Sequence, residues 1–281
     1  MRVIFSVMLT FFLVISNAYG MKVPQVDLHV SHEEYAISFL PVLKGEVAVL
    51  HLASGKNYLI NTGPLQECKQ LYYYLNQMHI DNIEGIILTE KREVHEDMIT
   101  ELDKKYSIKE IITGKSLAEA IQKKGSFTIH TITEDQSYPL SKELALNVMH
   151  EGNEKGEGLD FSITFFHHRF LWLSSQSSHS EEVLLTKPLK NVNIVKVPLH
   201  SKSESMSHSL LKHIDPQTAL LYRSKERLLN GEMLEAINEA WIDLYLTGQH
   251  GLIAIKFNKR NYEVLTFDQE DGVFKEEGGT H

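Results

Sequence analysis

Hydrophobic and polar positions along the chain fall into blocks whose period switches between two and about three and a half. Residues 36–43, 46–52 and 56–61 read as three strands, punctuated by Gly45 and by Ser54-Gly55 at a hairpin turn. After Thr62-Gly63-Pro64 the period changes. Leu65, Cys68, Leu71, Tyr72, Leu75 and Met78 recur three and four residues apart, which predicts a helix, and 85–88 returns as a buried strand. A helix over 95–106, a strand over 108–112, a short helix over 116–124 and a strand over 127–132 continue the alternation. Residues 153–158 form a glycine- and charge-rich turn, after which 161–166 and 170–174 pair as a predicted hairpin. A segment over 180–185, a buried strand over 194–197, a helix over 207–213, a strand over 218–223, a helix over 232–240 and strands over 243–246 and 252–257 complete the pattern.

Two β-rich halves joined by α/β crossovers, with no linker between them, predict a single α/β domain: a sandwich of sheets with helices outside. The domain spans 36–268, preceded by a lead-in over 21–35. The tail over 269–281 is polar, contains glycine and lacks periodicity, so it is expected to fray.

The first twenty residues stand apart. Arg2 supplies a positive start, 3–15 is apolar apart from Ser6 and Thr10, and Ala18-Tyr19-Gly20 places small residues where an export peptidase cuts. This is the pattern of a secretory signal peptide, and its apolar run is shorter than the roughly 20 residues that cross a bilayer. An uncleaved leader acting as anchor, or a true start at Met21, are the alternatives. The expectation is a secreted or extracytoplasmic protein.

Composition narrows the function classes. The 281 residues are 42% hydrophobic and carry 28 Lys and Arg against 37 Asp and Glu, a formal charge of -9. That balance supports a sizeable core and argues against a general nucleic-acid coat. Cys68 is the single cysteine, so no intramolecular disulfide forms; on its amphipathic helix it reads as a buried, inert thiol.

Several short patterns invite a chemical reading and have a plainer one. His167-His168 sits at the predicted hairpin turn, where neighbouring side chains point to opposite faces and a solvated turn explains both. His29, His32, Glu33 and Glu34 precede the first strand and lack a helical frame, so they read as surface residues. Gly114-Lys115-Ser116 has the end of a phosphate loop, but Lys109 stands where the first glycine belongs, leaving a strand-to-helix turn. No Gly-x-Ser-x-Gly elbow is present, and Cys68 has no assigned histidine partner. Tyr72-Tyr73-Tyr74 must spread round a helix with at least one ring exposed; partial core packing is the ordinary explanation, and an aromatic contact for a partner or glycan is the alternative.

The order of elements and their punctuation resemble the metallo-β-lactamase fold superfamily, most closely the β-lactamase-like domain of the competence protein ComEC. Where that domain has Asp-Val-Gly-Gln-Gly-Asp, this chain has Pro41-Val42-Leu43-Lys44-Gly45-Glu46. Ile-Asp-Thr-Gly is matched by Ile60-Asn61-Thr62-Gly63, and Thr-His-x-His-x-Asp-His by Thr89-Glu90-Lys91-Arg92-Glu93-Val94-His95. Leu-Thr-Gly-Asp corresponds to Leu173-Ser174-Ser175-Gln176, and the strand running into Gly-His-His-Gly-Ser to 195–202, ending in His200-Ser201-Lys202. The resemblance covers roughly 36–257 and implies an αββα sandwich.

The resemblance also implies what has been lost. In the family these loops gather His and carboxylate ligands so that one or two metal ions activate a water. Here Asn61, Glu90, Arg92, Val94 and Gln176 stand at degenerate motif positions, and His95 and His200 survive. Arg repels a cation and Val cannot coordinate one. The expectation is a pseudoenzyme that acts by binding, with no resident cofactor and with extracellular nucleic acid, nucleotide or a cell-envelope component as partner classes.

Two rivals stay open at this level. One is a metal-dependent hydrolase of phosphodiesters or related substrates, with zinc or manganese held by His95, His200 and Glu90 or Glu93. The other is an exported accessory protein binding nucleic acid in DNA uptake, which needs Lys91, Arg92, Lys196 and Lys202 on one face.

Overall fold

The computed structural model describes residues 26, 28–121, 125–152, 154, 156–198, 206–222 and 231–267, together with the backbone of 276–280. Residues 1–20, read above as a signal peptide, and His200, Ser201 and Lys202 lie outside the described residues.

The chain opens as an antiparallel meander, β1 (Tyr35–Leu40), β2 (Val47–His51) and β3 (Asn57–Ile60). One 3-10 turn leads into α1 (Cys68–Gln77), and then strands and helices alternate: β4 (Gly85–Leu88), α2 (Glu96–Tyr106), β5 (Glu110–Gly114), α3 (Lys115–Ala118) and β6 (Thr128–Ile132). The strands from β3 to β6 run parallel, as crossovers through a helix require.

The second half mirrors this plan. An antiparallel run of β7 (Ser137–Pro139), β8 (Ala145–Glu151), β9 (Leu159–Phe165) and β10 (His168–Trp172) is followed by α4 (Ser178–Thr186), β11 (Val192–Lys196), α5 (His208–Ile214), β12 (Thr218–Leu221), α6 (Gly231–Glu239) and β13 (Asp243–Leu246). The pairings from β10 through β13 are parallel. After α7 (Thr247–His250) the chain returns to the first sheet with β14 (Leu252–Phe257), β15 (Tyr262–Phe267) and β16 (Glu276–Thr280).

Two sheets result, ordered β16-β15-β14-β1-β2-β3-β4-β5-β6 and β13-β12-β11-β10-β9-β8-β7. Three apolar layers hold them. The middle one lies between the sheets, where Trp172 stacks between Phe39 at 6.2 Å and Phe161 at 6.1 Å. The second packs Leu71 and Tyr74 of α1 and Met98 and Leu102 of α2 against the first sheet, and the third packs Leu184, Leu210 and Ile237 against the second. A sheet covered on both faces has strands buried on both faces, which is why β1 and β2 are buried at every residue. The architecture is the αββα sandwich expected.

The structure corrects the sequence reading at several elements. β7, β8 and β15 were not anticipated. The backbone at 276–280 pairs with β15 as an edge strand where a frayed tail was expected, because ladder hydrogen bonds need no apolar side chains. The helix expected over 116–124 is described only as the single turn α3, and 122–124 lie outside the described residues. The hairpin turn falls at Phe166-His167, so His168 is the first residue of β10 and is buried with its ring 5.3 Å from that of Tyr262, while His167 stays exposed.

Candidate functional site

The loops that follow β1, β3, β4 and β10 and the end of β11 meet at one end of the sandwich, and all carry matched motif positions. Two glycines let them approach. Gly45 (φ +85) and Gly63 (φ +63) are left-handed, and a Cβ on Gly45 would come within 3.0 Å of both Gly63 Cα and Glu93 Oε2.

Asn61 ends the β3 loop with φ 57, a conformation that asparagine accepts more readily than other side chains. It is fully buried and tied to the next strand: the Thr89 backbone N–H donates to Asn61 Oδ1 at 2.9 Å, and Asn61 Nδ2 donates to Thr89 Oγ1 at 3.0 Å. Asn61 therefore works as a brace between β3 and β4.

The charges behind it are paired within the chain. Lys196, at the end of β11, is 0% exposed, and its ammonium donates to the carboxylate of Glu46 and to the Leu173 carbonyl at 3.0 Å. It also lies 4.6 Å from the centre of the Trp172 ring, a cation–π contact. Tyr222 closes the same space, its hydroxyl donating to the Val47 carbonyl at 2.5 Å. Arg92, a third exposed, turns back so that its guanidinium pairs with buried Glu90. Glu93 is buried as well and accepts the Glu46 backbone N–H at 3.4 Å.

Three buried carboxylates thus face one ammonium and one guanidinium. Burial raises Glu93 to about 7, with the neighbouring Glu46 charge adding to the effect. Burial also raises Glu90 to about 8, against the opposing pull of Arg92. Among the described residues, Glu46 Oε1 is the one buried oxygen of this cluster with no hydrogen-bond partner.

The donor set does not suit a two-metal centre. A divalent ion reaching Glu46 or Glu90 would have to displace a cation that the chain itself supplies. Val94 packs against the helix-side core, half-buried. His95 precedes α2, half-buried, with burial lowering its pKa. Gln176 is half-buried in the loop before α4, its backbone N–H donating to the Gly156 carbonyl at 2.7 Å. Among the described residues no group of three or more His, Cys, Asp or Glu side chains is arranged to hold a metal ion.

Other sequence candidates fall where their plain readings put them, with two corrections. His29 and His32 are exposed. At Gly114-Lys115-Ser116 the carboxylate of Glu151 accepts the Ser116 N–H at 3.2 Å and its hydroxyl at 2.8 Å, so an internal anion fills the place of a phosphate. Tyr74 is buried and Tyr72 and Tyr73 are half-buried against the core, so no ring of the triplet stands free as expected; the Lys105 ammonium sits 3.8 Å from the centre of the Tyr72 ring. Cys68 is half-buried rather than buried. Lys196, expected on a basic outer face, is in the interior.

No family model matches the sequence, and no curated protein is similar to it. Solved structures are. The chain is similar to YhfI from Bacillus subtilis, a metallo-β-lactamase fold protein, at 11% identity and a TM-score of 0.55 over 76% of this chain and 96% of that one. A diphosphatase from the PhnP family matches at 12% identity and a TM-score of 0.52, over 80% of this chain and 97% of that one. A long-form RNase Z from yeast matches at 10% identity and a TM-score of 0.51, over 88% of this chain and 49% of that one. At these identities the likeness concerns the fold.

Proposed function

We propose that this chain, a metallo-β-lactamase-fold protein, is a pseudoenzyme that works outside the cytoplasm by binding rather than by hydrolysis. Its supporting observation is the Glu46–Lys196 pair, a buried ammonium seated among carboxylates at the end of the sandwich where the motif loops meet. A lysine of this kind supplies fixed positive charge but no exchangeable position for water, so it can stabilise the loops without activating a nucleophile. The Arg92–Glu90 pair supports the same reading and removes Glu90 from the ligand set of the rival hydrolase. Burial of Lys196 likewise takes one member from the basic face that a DNA-uptake partner needs. The signal-peptide pattern over 1–20 supports the extracytoplasmic part of the proposal, with a nucleotide, nucleic acid or envelope component as the partner classes.

The test is metal content, by elemental mass spectrometry on the untagged protein purified without chelator and challenged with zinc and manganese. Less than a tenth of an equivalent of metal is expected, on the order of background for a chain without a built site. About one equivalent per chain, lost in His95→Ala, overturns the reading and makes the hydrolase the working description.

A further inference from the structure

A second polar cluster lies outside the matched loops. Along β8 every other residue is buried, and His150 falls in phase with Leu146 and Val148. Its side chain is 3% exposed, and among the described residues neither ring nitrogen has a hydrogen-bond partner. Carboxylates stand just beyond reach on both sides: Glu134 Oε2 is 3.6 Å from Nδ1 and Glu157 Oε1 is 3.9 Å from Nε2. Glu157 is itself buried and fixed by the Ser177 hydroxyl, which donates to it at 2.6 Å. The ring of His179, on the first turn of α4, is 5.9 Å from that of His150.

These residues line a cleft of about 750 Å³, within the roughly 300–1,000 Å³ of small-molecule sites. Among the described residues Glu119, Glu134, Glu151, Glu154 and Glu157 line it, and Lys115 is the lining cation. Lys187 reaches Glu134 at 2.7 Å, and Glu151 is engaged by Ser116, which leaves an excess of acceptors over donors. A buried polar atom left unsatisfied is costly, and the acceptor nitrogen of a neutral imidazole without a partner points to a ligand that donates to it. The carboxylates are spread round a cleft rather than gathered at metal-ligand spacing, so the ligand is extended and carries several N–H donors.

We propose that this cleft binds a small linear polyamine. One ammonium is received between His150 and Glu157 at its depth, and another by Glu119 and Glu154 towards the rim. The site shares no residue with the Glu46–Lys196 cluster, so it stands whether or not that cluster holds a metal.

The experiment is calorimetric titration of the full chain with spermidine at low and high ionic strength. Saturable one-to-one binding is expected, weakened by salt and weakened about tenfold or more in Glu157→Gln and in His150→Asn, the loss of one charge-assisted hydrogen bond. Glu33→Gln, in the exposed lead-in, is expected to bind as the parent does. Circular dichroism checks each variant; should Glu157→Gln unfold, Glu119→Gln reads the same cleft from its rim, with weakening of about threefold expected for a partly screened contact. Absence of saturable heat with the folded parent, or unchanged affinity in the folded variants, overturns the proposal. So does one equivalent of zinc or manganese that disappears in His150→Asn, which would make the cleft a coordination site.

Discussion

The Glu46–Lys196 cluster and the His150 cleft both bury ionisable groups, yet they treat charge in opposite ways. In the first, two chain cations sit against three carboxylates, and the ammonium of Lys196 has a carboxylate, a carbonyl and an indole face as neighbours. In the second, among the described residues, carboxylates outnumber the lining cation and an imidazole is left with both nitrogens unmet. A region whose charges are matched internally has little left to offer a ligand and much to lose on mutation. A region left with surplus acceptors contributes little to folding and is free to bind.

The strongest way to break this contrast is at Lys196. Lys196→Met leaves Glu46 buried beside Glu93 without its counter-charge, and a loss of about 3–5 kcal/mol in unfolding free energy is expected. Urea denaturation at neutral pH measures it. Adding Glu46→Gln to that variant removes the stranded charge, so the double variant should recover more than half of the loss; full additivity of the two changes would show that the pair does not act as a unit.

Next comes Asn61, which braces β3 against β4 through two contacts with Thr89 and holds a left-handed backbone. Asn61→Ala should cost about 2 kcal/mol, from a buried N–H left unmet and the strain of φ > 0 on a residue with a Cβ. Asn61→Asp, which places there the acid that the resemblance implies, keeps the acceptor for the Thr89 N–H but forfeits the donor, and should lose less than the alanine variant. An equal loss would mean that backbone strain, not the brace, dominates.

The pH dependence sharpens the comparison. Glu93 and Glu90 are raised to about 7 and about 8 from an ordinary 4.5, so between those limits the folded chain holds protons that the unfolded chain has released. Their contribution to stability therefore falls as pH rises from about 5 to about 8, by at most about 1.4 kcal/mol per pH unit for each group, and levels off above. Glu93→Gln removes one of the two and should flatten that slope in denaturation curves taken across the range. The smallest effect belongs to the cleft: Glu119→Gln should change stability by no more than about 0.5 kcal/mol, as for a surface substitution, while weakening spermidine.

Much of the fold was legible because strong periodicity survives any tertiary context. The α1 positions at spacings of three and four, the Gly85–Leu88 run and the Asp243–Leu246 and Leu252–Phe257 strands stand where the pattern put them. β8 carries the same kind of signal: Leu144, Leu146, Val148 and His150 alternate with half-buried residues, and the period that marks the strand marks His150 as inward. β16 had no such signal, since an edge strand is held by its backbone. The site was half legible. The degenerate positions could be read one at a time, but nothing in the spacing of Glu46 and Lys196, 150 residues apart, announces that they meet.

The sequence by itself determined the alternation of strands and helices and the two-sheet sandwich, because local period needs no partner to be read, and it supplied the residue types at the five positions that the resemblance singles out. Only the tertiary structure decided what those positions do instead. Whether an Asn is a lost ligand or a brace, whether a Lys is a surface charge or an internal counter-ion, and whether a His in a strand is satisfied or waiting are questions of which distant groups fold against it, and burial alone sets how much each answer is worth.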